Sequence, residues 1–265
     1  MIDIHSHTLF GVDDGCFMLE TSIQTLKEEA QCGVTDVFCT PHIDTYDFDV
    51  ELFRNNFNIL EEKVKEENIN ITLHKGAEIG PNFTPSILMK KNIDLTMGES
   101  GKYVLIGPFF GPTFSKTSFD AVLYDLQMLG KIPIIANPER MSYFQEDPEQ
   151  LTTFLNRGCL LQMNGPSLLG KYGETCKEFA HKILKLGWIS FVATDNHHPH
   201  SYSMLHKAYS HIKTLYGEPL AKELIVTNPQ KVINNQPMVK YDYDDWVEEK
   251  KKKSFWGFLF NKDKK

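Results

Sequence analysis

Seven short apolar runs punctuate this chain, each followed by a stretch with helical apolar spacing. The runs are Ile2–His5, Val34–Thr40, Ile69–Glu78, Tyr103–Ile106, Ile132–Ala136, Leu160–Met163 and Trp188–Ala193. The spacing predicts helices over Leu19–Gln31, Val50–Glu67, Ser118–Leu129, Pro148–Arg157, Gly173–Leu186 and Ser203–Tyr216. Shorter ones are expected near Pro85–Lys91 and after Asn228-Pro229. Gly33, Gly130, Gly158 and Gly187 sit where helices should stop. Strand and helix alternating with short connections restrict the chain to a parallel α/β fold. A single closed or nearly closed βα barrel fits best, with a doubly wound open sheet second. Either way, chemistry belongs at the carboxyl ends of the strands.

Those ends carry the residues a metal site needs. The first run delivers Asp3, His5 and His7, with Asp13, Asp14 and Gly15 close behind. The period of a strand puts His5 and His7 on one side. Later runs end in Thr40-Pro41-His42, Gly76-Ala77-Glu78, Asn137-Pro138-Glu139-Arg140, Gln162-Met163-Asn164 and Thr194-Asp195-Asn196-His197-His198-Pro199-His200. Singly, each residue has a dull explanation: His42 as a turn residue, Glu78 as a surface carboxylate, Asp195 as a helix cap. Repeated at equivalent positions, they are hard to explain as packing. Histidine and carboxylate without cysteine suit Mn²⁺, Fe²⁺ or Zn²⁺ rather than Ca²⁺. Two such ions about 3.5–4 Å apart can clamp a phosphoryl group and supply a hydroxide nucleophile. Arg140 on the same rim offers a planar fork for phosphate oxygens, or else a surface ion pair with Glu139.

Other chemistries fail when tested against the chain. The positions six after each cysteine are Ser22, Phe38, Thr45, Gly165 and Lys182, so the arginine of a cysteine-dependent phosphatase is missing. Gly165 to Lys171 imitates a P-loop until Tyr172, where a Ser or Thr should bind Mg²⁺. His74, His181, His206 and His211 fall away from the rim and read as ordinary structural histidines. The five cysteines are scattered and never in C-x-x-C spacing, which suits a reducing cytoplasm. No apolar run approaches a membrane span, and the first residues do not look like an export signal.

Charge separates a body from a tail. The net charge is −7, yet residues 250–265 carry seven lysines against Asp263, so the rest of the chain is strongly acidic. An acidic body argues against nucleic acid as the main partner. The expected division is one domain bearing the candidate metal ligands over 1–240 and a basic-aromatic tail over 241–265. The tail joins Lys250–Lys253 to Phe255, Trp256, Phe258 and Phe260, a composition suited to peripheral contact with anionic lipid at the inner face of the membrane.

Asp3-Ile4-His5-Ser6-His7, Val12-Asp13-Asp14-Gly15, Thr40-Pro41-His42, Gly76-Ala77-Glu78, Pro138-Glu139-Arg140 and Asp195-Asn196-His197 resemble the PHP (polymerase and histidinol phosphatase) superfamily. More narrowly, they resemble the bacterial manganese-dependent protein-tyrosine phosphatases of capsule and exopolysaccharide biosynthesis. The resemblance covers roughly residues 1–235. It implies a distorted (β/α)7 barrel that dephosphorylates phosphotyrosine on a membrane-associated tyrosine kinase. It also implies metal ligation by His5, His7, Glu78 and Asp195 at one site and by Asp14, His42 and His197 at a second. Arg140 would bind phosphate; Arg140, His42 and Asp195 form the expected catalytic set. Where the family places ligands of a third metal, this chain has Gly107 and Asn137, so two Mn²⁺ ions are expected. His198 and His200 are candidates for the general acid, and Phe109, Phe110 and Phe114 for stacking on a tyrosine ring. Two other functions stay open: a phosphatase of a small ester such as histidinol phosphate, and a weakly catalytic module that binds the kinase.

Overall fold

The computed structural model describes residues 1–43, 48–80, 85–86, 94, 96–107, 116–197 and 203–238. Within them the strands are β1 (Ile2–Ser6), β2 (Asp36–Cys39), β3 (His42–Ile43), β4 (Thr72–Lys75), β5 (Glu78–Ile79), β6 (Tyr103–Ile106), β7 (Ile132–Ala136), β8 (Leu160–Asn164) and β9 (Phe191–Ala193). Every pairing is parallel, in a three-stranded sheet β1-β2-β4 and a six-stranded sheet β3-β5-β6-β7-β8-β9. The fold is therefore mixed α/β with parallel sheets, and all the strands end on one rim.

Two of the seven expected runs lead into a second strand. The second stops at Thr40-Pro41 as expected, where proline has no N–H for a ladder, and β3 begins just beyond it at His42. The third breaks between β4 and β5 at Gly76-Ala77, where a side chain on Gly76 would meet Thr40 Cγ2 at 3.0 Å. At each place the chain passes from the first sheet to the second. Among the described residues one isolated bridge, Ser6 to Asn196, joins the end of β1 to the segment after β9.

Alternation along the strands sorts their side chains into two cores. Ile2, Ile4 and Phe38 from the first sheet meet Tyr103, Leu105, Ile134, Ala136, Phe191 and Ala193 from the second in one small buried cluster. Their neighbours Val104, Ile106, Ile135, Leu161, Met163 and Val192 face the larger core beneath the helices. Both faces of the strands are apolar, as expected of a parallel sheet covered on each side.

The long helices follow their expected spans within a residue or two: Leu19–Gln31, Val50–Glu66, Lys116–Met128, Glu149–Asn156, Glu174–Lys185 and Met204–Tyr216. Asp49 caps the second, its Oδ1 accepting from Leu52 N at 2.9 Å. Short helices Ser142–Glu146, Gly165–Leu168 and Glu218–Lys222 were not expected. Their few residues cannot display a helical period in sequence. Of the expected 85–91 helix, only residues 85–86 are described. No helix among the described residues is long and apolar enough to cross a membrane.

Candidate metal centre

Parallel registers bring the rim residues together. In the β3–β5 pairing His42 lies opposite Glu78, and Glu78 lies opposite Leu105 in β6, so Gly107 follows just beyond. β1 has a register irregularity between Asp3 and Ser6, where the chain turns His5 toward the site. Asp195 and Asn137, both at φ 51°, hold the left-handed conformation that Asn and Asp tolerate better than most residues. Such backbone at two touching strand ends is characteristic of functional sites.

Two groups of ligand-type atoms result. His5, His7, Glu78 and Asp195 form one, and His7, Asp14, His42 and His197 form the other, so His7 belongs to both. In the first, His5 Nε2 and His7 Nε2 stand 3.2 Å apart. Each also lies within 3.2–3.4 Å of Glu78 Oε2 and Asp195 Oδ1. In the second, Asp14 Oδ1 is 3.6 Å from His42 Nε2 and 3.5 Å from His197 Nε2. His42 Nδ1 also approaches Glu78 Oε2 at 3.0 Å, which connects the groups.

The ring tautomers are set from behind. His5 Nδ1 meets Gln162 Oε1 at 2.8 Å, and His7 Nδ1 meets Asp13 Oδ2 at 2.7 Å. With Nδ1–H donating, both Nε2 lone pairs face the same small space, the arrangement of metal-bound imidazoles. Glu78 Oε2 is buried among three ring nitrogens yet has no hydrogen-bond partner. A divalent cation would satisfy that oxygen and both lone pairs at once, so the residues present fit a metal.

Burial opposes charge on His5, but Glu78 and Asp195 outweigh it and raise its pKa. Burial likewise opposes charge on His7, and Asp13, Asp195 and Glu78 carry it well above the usual value. Glu78 is buried, yet His5, His42 and His7 bring it well below the ordinary carboxylate range. His197 is lowered by burial and by His7.

Asp195 is braced on its other oxygen. Oδ2 accepts from Arg140 at 2.9 Å, Asn137 Nδ2 at 3.0 Å and Asn164 Nδ2 at 3.2 Å. The Arg140 guanidinium also stacks over Tyr172, 4.2 Å from its ring centre. The alternative pairing of Arg140 with Glu139 is not what forms. Glu139 is buried and accepts from Asn164 N at 3.0 Å and Ser167 Oγ at 2.7 Å. Burial pushes its carboxyl up to about 7.

A family model described as capsular polysaccharide synthesis, CpsB/CapC, matches residues 1–234. The chain belongs to this family. Tyrosine-protein phosphatase CpsB of Streptococcus pneumoniae is 32% identical over 244 residues, covering 89% of this chain and 99% of that protein. Tyrosine-protein phosphatase YwqE of Bacillus subtilis (strain 168) is 31% identical over 201 residues, covering 74% and 77%. A solved structure from work on YwqE of Bacillus subtilis and CpsB of Streptococcus pneumoniae superposes with a TM-score of 0.80 at 28% identity. It covers 91% of this chain and 97% of that one, and those proteins are described as metal-dependent tyrosine phosphatases.

All seven expected ligands of this CpsB/CapC chain thus gather at one rim, with Arg140 beside them. Asp13, noted with Asp14 among the residues a metal site needs, joins neither ligand group. It anchors the loop by accepting from His7 Nδ1, from His42 N at 3.1 Å and from Gly15 N at 3.0 Å. Gly15 is required there, because a Cβ would lie 2.1 Å from His7 O. Gln162 and Asn164, noted only as polar strand ends, orient His5 and Asp195. Their one visible signal was polarity in an otherwise apolar run. Gly107 packs against Glu78 so closely that a Cβ would lie 2.4 Å from Glu78 Oε1. His74 bonds Asp36 at 2.9 Å, and His181 bonds the Tyr216 hydroxyl at 2.8 Å, both away from the rim. Residues 108–115, with Phe109, Phe110 and Phe114, lie outside the described residues, as do His198, His200 and the 241–265 tail.

Proposed function

We propose that this chain is a metal-dependent protein-tyrosine phosphatase that dephosphorylates a membrane-associated tyrosine kinase of capsule or exopolysaccharide synthesis, acting in the cytoplasm. The observation that carries the reading is the pair of ligand groups sharing His7, with an arginine beside them. His5, His7, Glu78 and Asp195 would hold one ion, and Asp14, His42 and His197, with His7 alongside, a second. Mn²⁺ is the expected ion on family resemblance, and the donor set suits it. Such ions supply an activated water at neutral pH and offset charge on phosphoryl oxygens.

The chain's own residues do the rest. Arg140, oriented by Asp195 and Tyr172, presents its fork to the phosphoryl oxygens. Asp195 ties that arginine to the metal ligands, so phosphate and ions are held in one frame. Tyrosinate, with a pKa of about 10, leaves with little help from an acid. Two ions rather than three are proposed because Gly107 carries no ligand and Asn137 spends its amide on Asp195. The strand order supports reading the fold as a distorted (β/α)7 barrel of the PHP type. In that reading the two sheets face one core, and the Ser6–Asn196 bridge lies at the seam.

With Mn²⁺ added, the protein is expected to hydrolyse a phosphotyrosyl peptide, and His5→Ala to lose that activity. Turnover of histidinol phosphate in preference to the peptide would overturn the reading. So would tight peptide binding with no turnover of any ester.

A further inference from the structure

Two histidines that read as structural in the sequence meet between helices, away from the rim. His181 lies on helix Glu174–Lys185 and His211 on helix Met204–Tyr216. Their Nε2 atoms stand 3.4 Å apart. The ring centres are 5.3 Å apart, and the planes cross at 57°. The rim pair His5 and His7 has nearly the same geometry: 3.2 Å between Nε2 atoms, 5.3 Å between ring centres and 51° between planes.

The Nδ1 sides match as well. His181 Nδ1 meets the Tyr216 hydroxyl at 2.8 Å, as His5 Nδ1 meets Gln162 Oε1 at 2.8 Å. With Nδ1–H donating to the phenol oxygen, the His181 lone pair is left on Nε2, facing His211. Burial and His211 lower the pKa of His181, so its ring is neutral at neutral pH. The neighbouring Lys177 and Glu174 pair with each other at 3.2 Å, so the charge beside the rings is balanced.

The spacing itself is informative. At 3.4 Å the two nitrogens lie beyond the usual span of a hydrogen bond, about 2.7–3.2 Å. They match two ligands of one tetrahedral ion instead. With Zn–N bonds of about 2.0–2.1 Å, the tetrahedral angle separates two nitrogens by about 3.3–3.4 Å. Both rings are half-buried, so an ion and the water that completes its shell can reach them.

We propose that His181 and His211 bind a Zn²⁺ ion that clamps their two helices together, at a site separate from the rim. Imidazole donors without a carboxylate suit Zn²⁺, whereas Mn²⁺ prefers the oxygen-richer rim. A count of Mn²⁺ therefore still counts the rim alone. The inference does not depend on the phosphatase reading.

The test is calorimetric titration of Zn²⁺ into protein already saturated with Mn²⁺, for the parent, His211→Gln and Tyr216→Phe. Zinc that enters the rim does so in all three, so differences between them report the helix pair. The parent is expected to bind one more Zn²⁺ than His211→Gln. Tyr216→Phe keeps both ligands but loses the Nδ1 partner, and its affinity for that ion should fall about tenfold. Zn²⁺ should also raise the melting temperature of the parent more than that of His211→Gln. Equal zinc stoichiometry in the parent and His211→Gln would overturn the proposal, as would equal melting shifts. If His211→Gln proves unstable in chelator, Tyr216→Phe decides by itself, and an unchanged affinity there removes the site.

Discussion

At the scale of single residues, the groups behind the ligands matter as much as the ligands. Asp13 fixes His7 Nδ1 and ties the loop to His42 N. Asp13→Ala should weaken metal binding by about 10–100-fold, as loss of such a partner typically does, without unfolding the protein. Calorimetric titration with Mn²⁺ measures this, and an unchanged affinity would remove Asp13 from the site. Glu139 gives a pH signature. Its carboxyl is raised from 4.5 to about 7 in the fold. Its neutral form is therefore favoured by folding, and that contribution is complete below about pH 4.5 and lost as pH rises through about 7. Glu139→Gln keeps an oxygen for Asn164 N and Ser167. It should gain on the order of 3 kcal/mol relative to the parent between about pH 5 and pH 8. Urea unfolding at both pH values checks it, and a constant difference would mean the carboxyl is not held neutral.

At the scale of elements, stability lies where helices meet the sheet rather than on their charged faces. Phe154, on helix Glu149–Asn156, stands edge-on to Phe119 and Phe144 at 5.5 and 5.9 Å. Phe154→Ala should cost about 3–5 kcal/mol. Lys65 pairs with Glu61 on the exposed face of helix Val50–Glu66, and Lys65→Ala should change stability by less than about 0.5 kcal/mol. Denaturant melts of the two variants compare the terms directly, and comparable losses would contradict this division. The same elements fix the site, because strands buried on both faces cannot slip register without burying the wrong side chains. The opposition of His42 and Glu78 is a product of that constraint.

At the scale of the whole molecule, the site gathers charged and titratable side chains from the ends of both sheets and from the loop after β1, and a metal should hold them together. Added Mn²⁺ should raise the melting temperature, each site contributing about 2.7 kcal/mol at a hundredfold excess over Kd. Chelation should reverse this. Because His5 and His7 hold protons above their usual range, metal must displace them, so affinity should rise with pH. Thermal shift with and without Mn²⁺ tests both, and metal counting should return two ions. Three ions at full occupancy would refute the role given to Gly107 and Asn137.

The alternation of apolar runs and helical stretches was enough to specify parallel α/β architecture, since each period is local and each buried face must find a partner. The same reading put His5, His7, His42, Glu78, Arg140, Asp195 and His197 at strand ends, because ligand-type residues recur there; the family resemblance, not the spacing, sorted them with Asp14 into two expected ligand sets. It did not reveal that His7 serves both groups, that Asp13 and Gln162 orient the imidazoles, or that Arg140 pairs with Asp195 rather than Glu139. Nor did it show the chain crossing from one sheet to the other just after the second run, at Pro41, and within the third, at Gly76. Those features depend on contacts between residues far apart in the chain, 157 positions from His5 to Gln162. Local spacing says which atoms a residue offers. Only the packed sheets decide which of them meet, because strand register and burial set the distances.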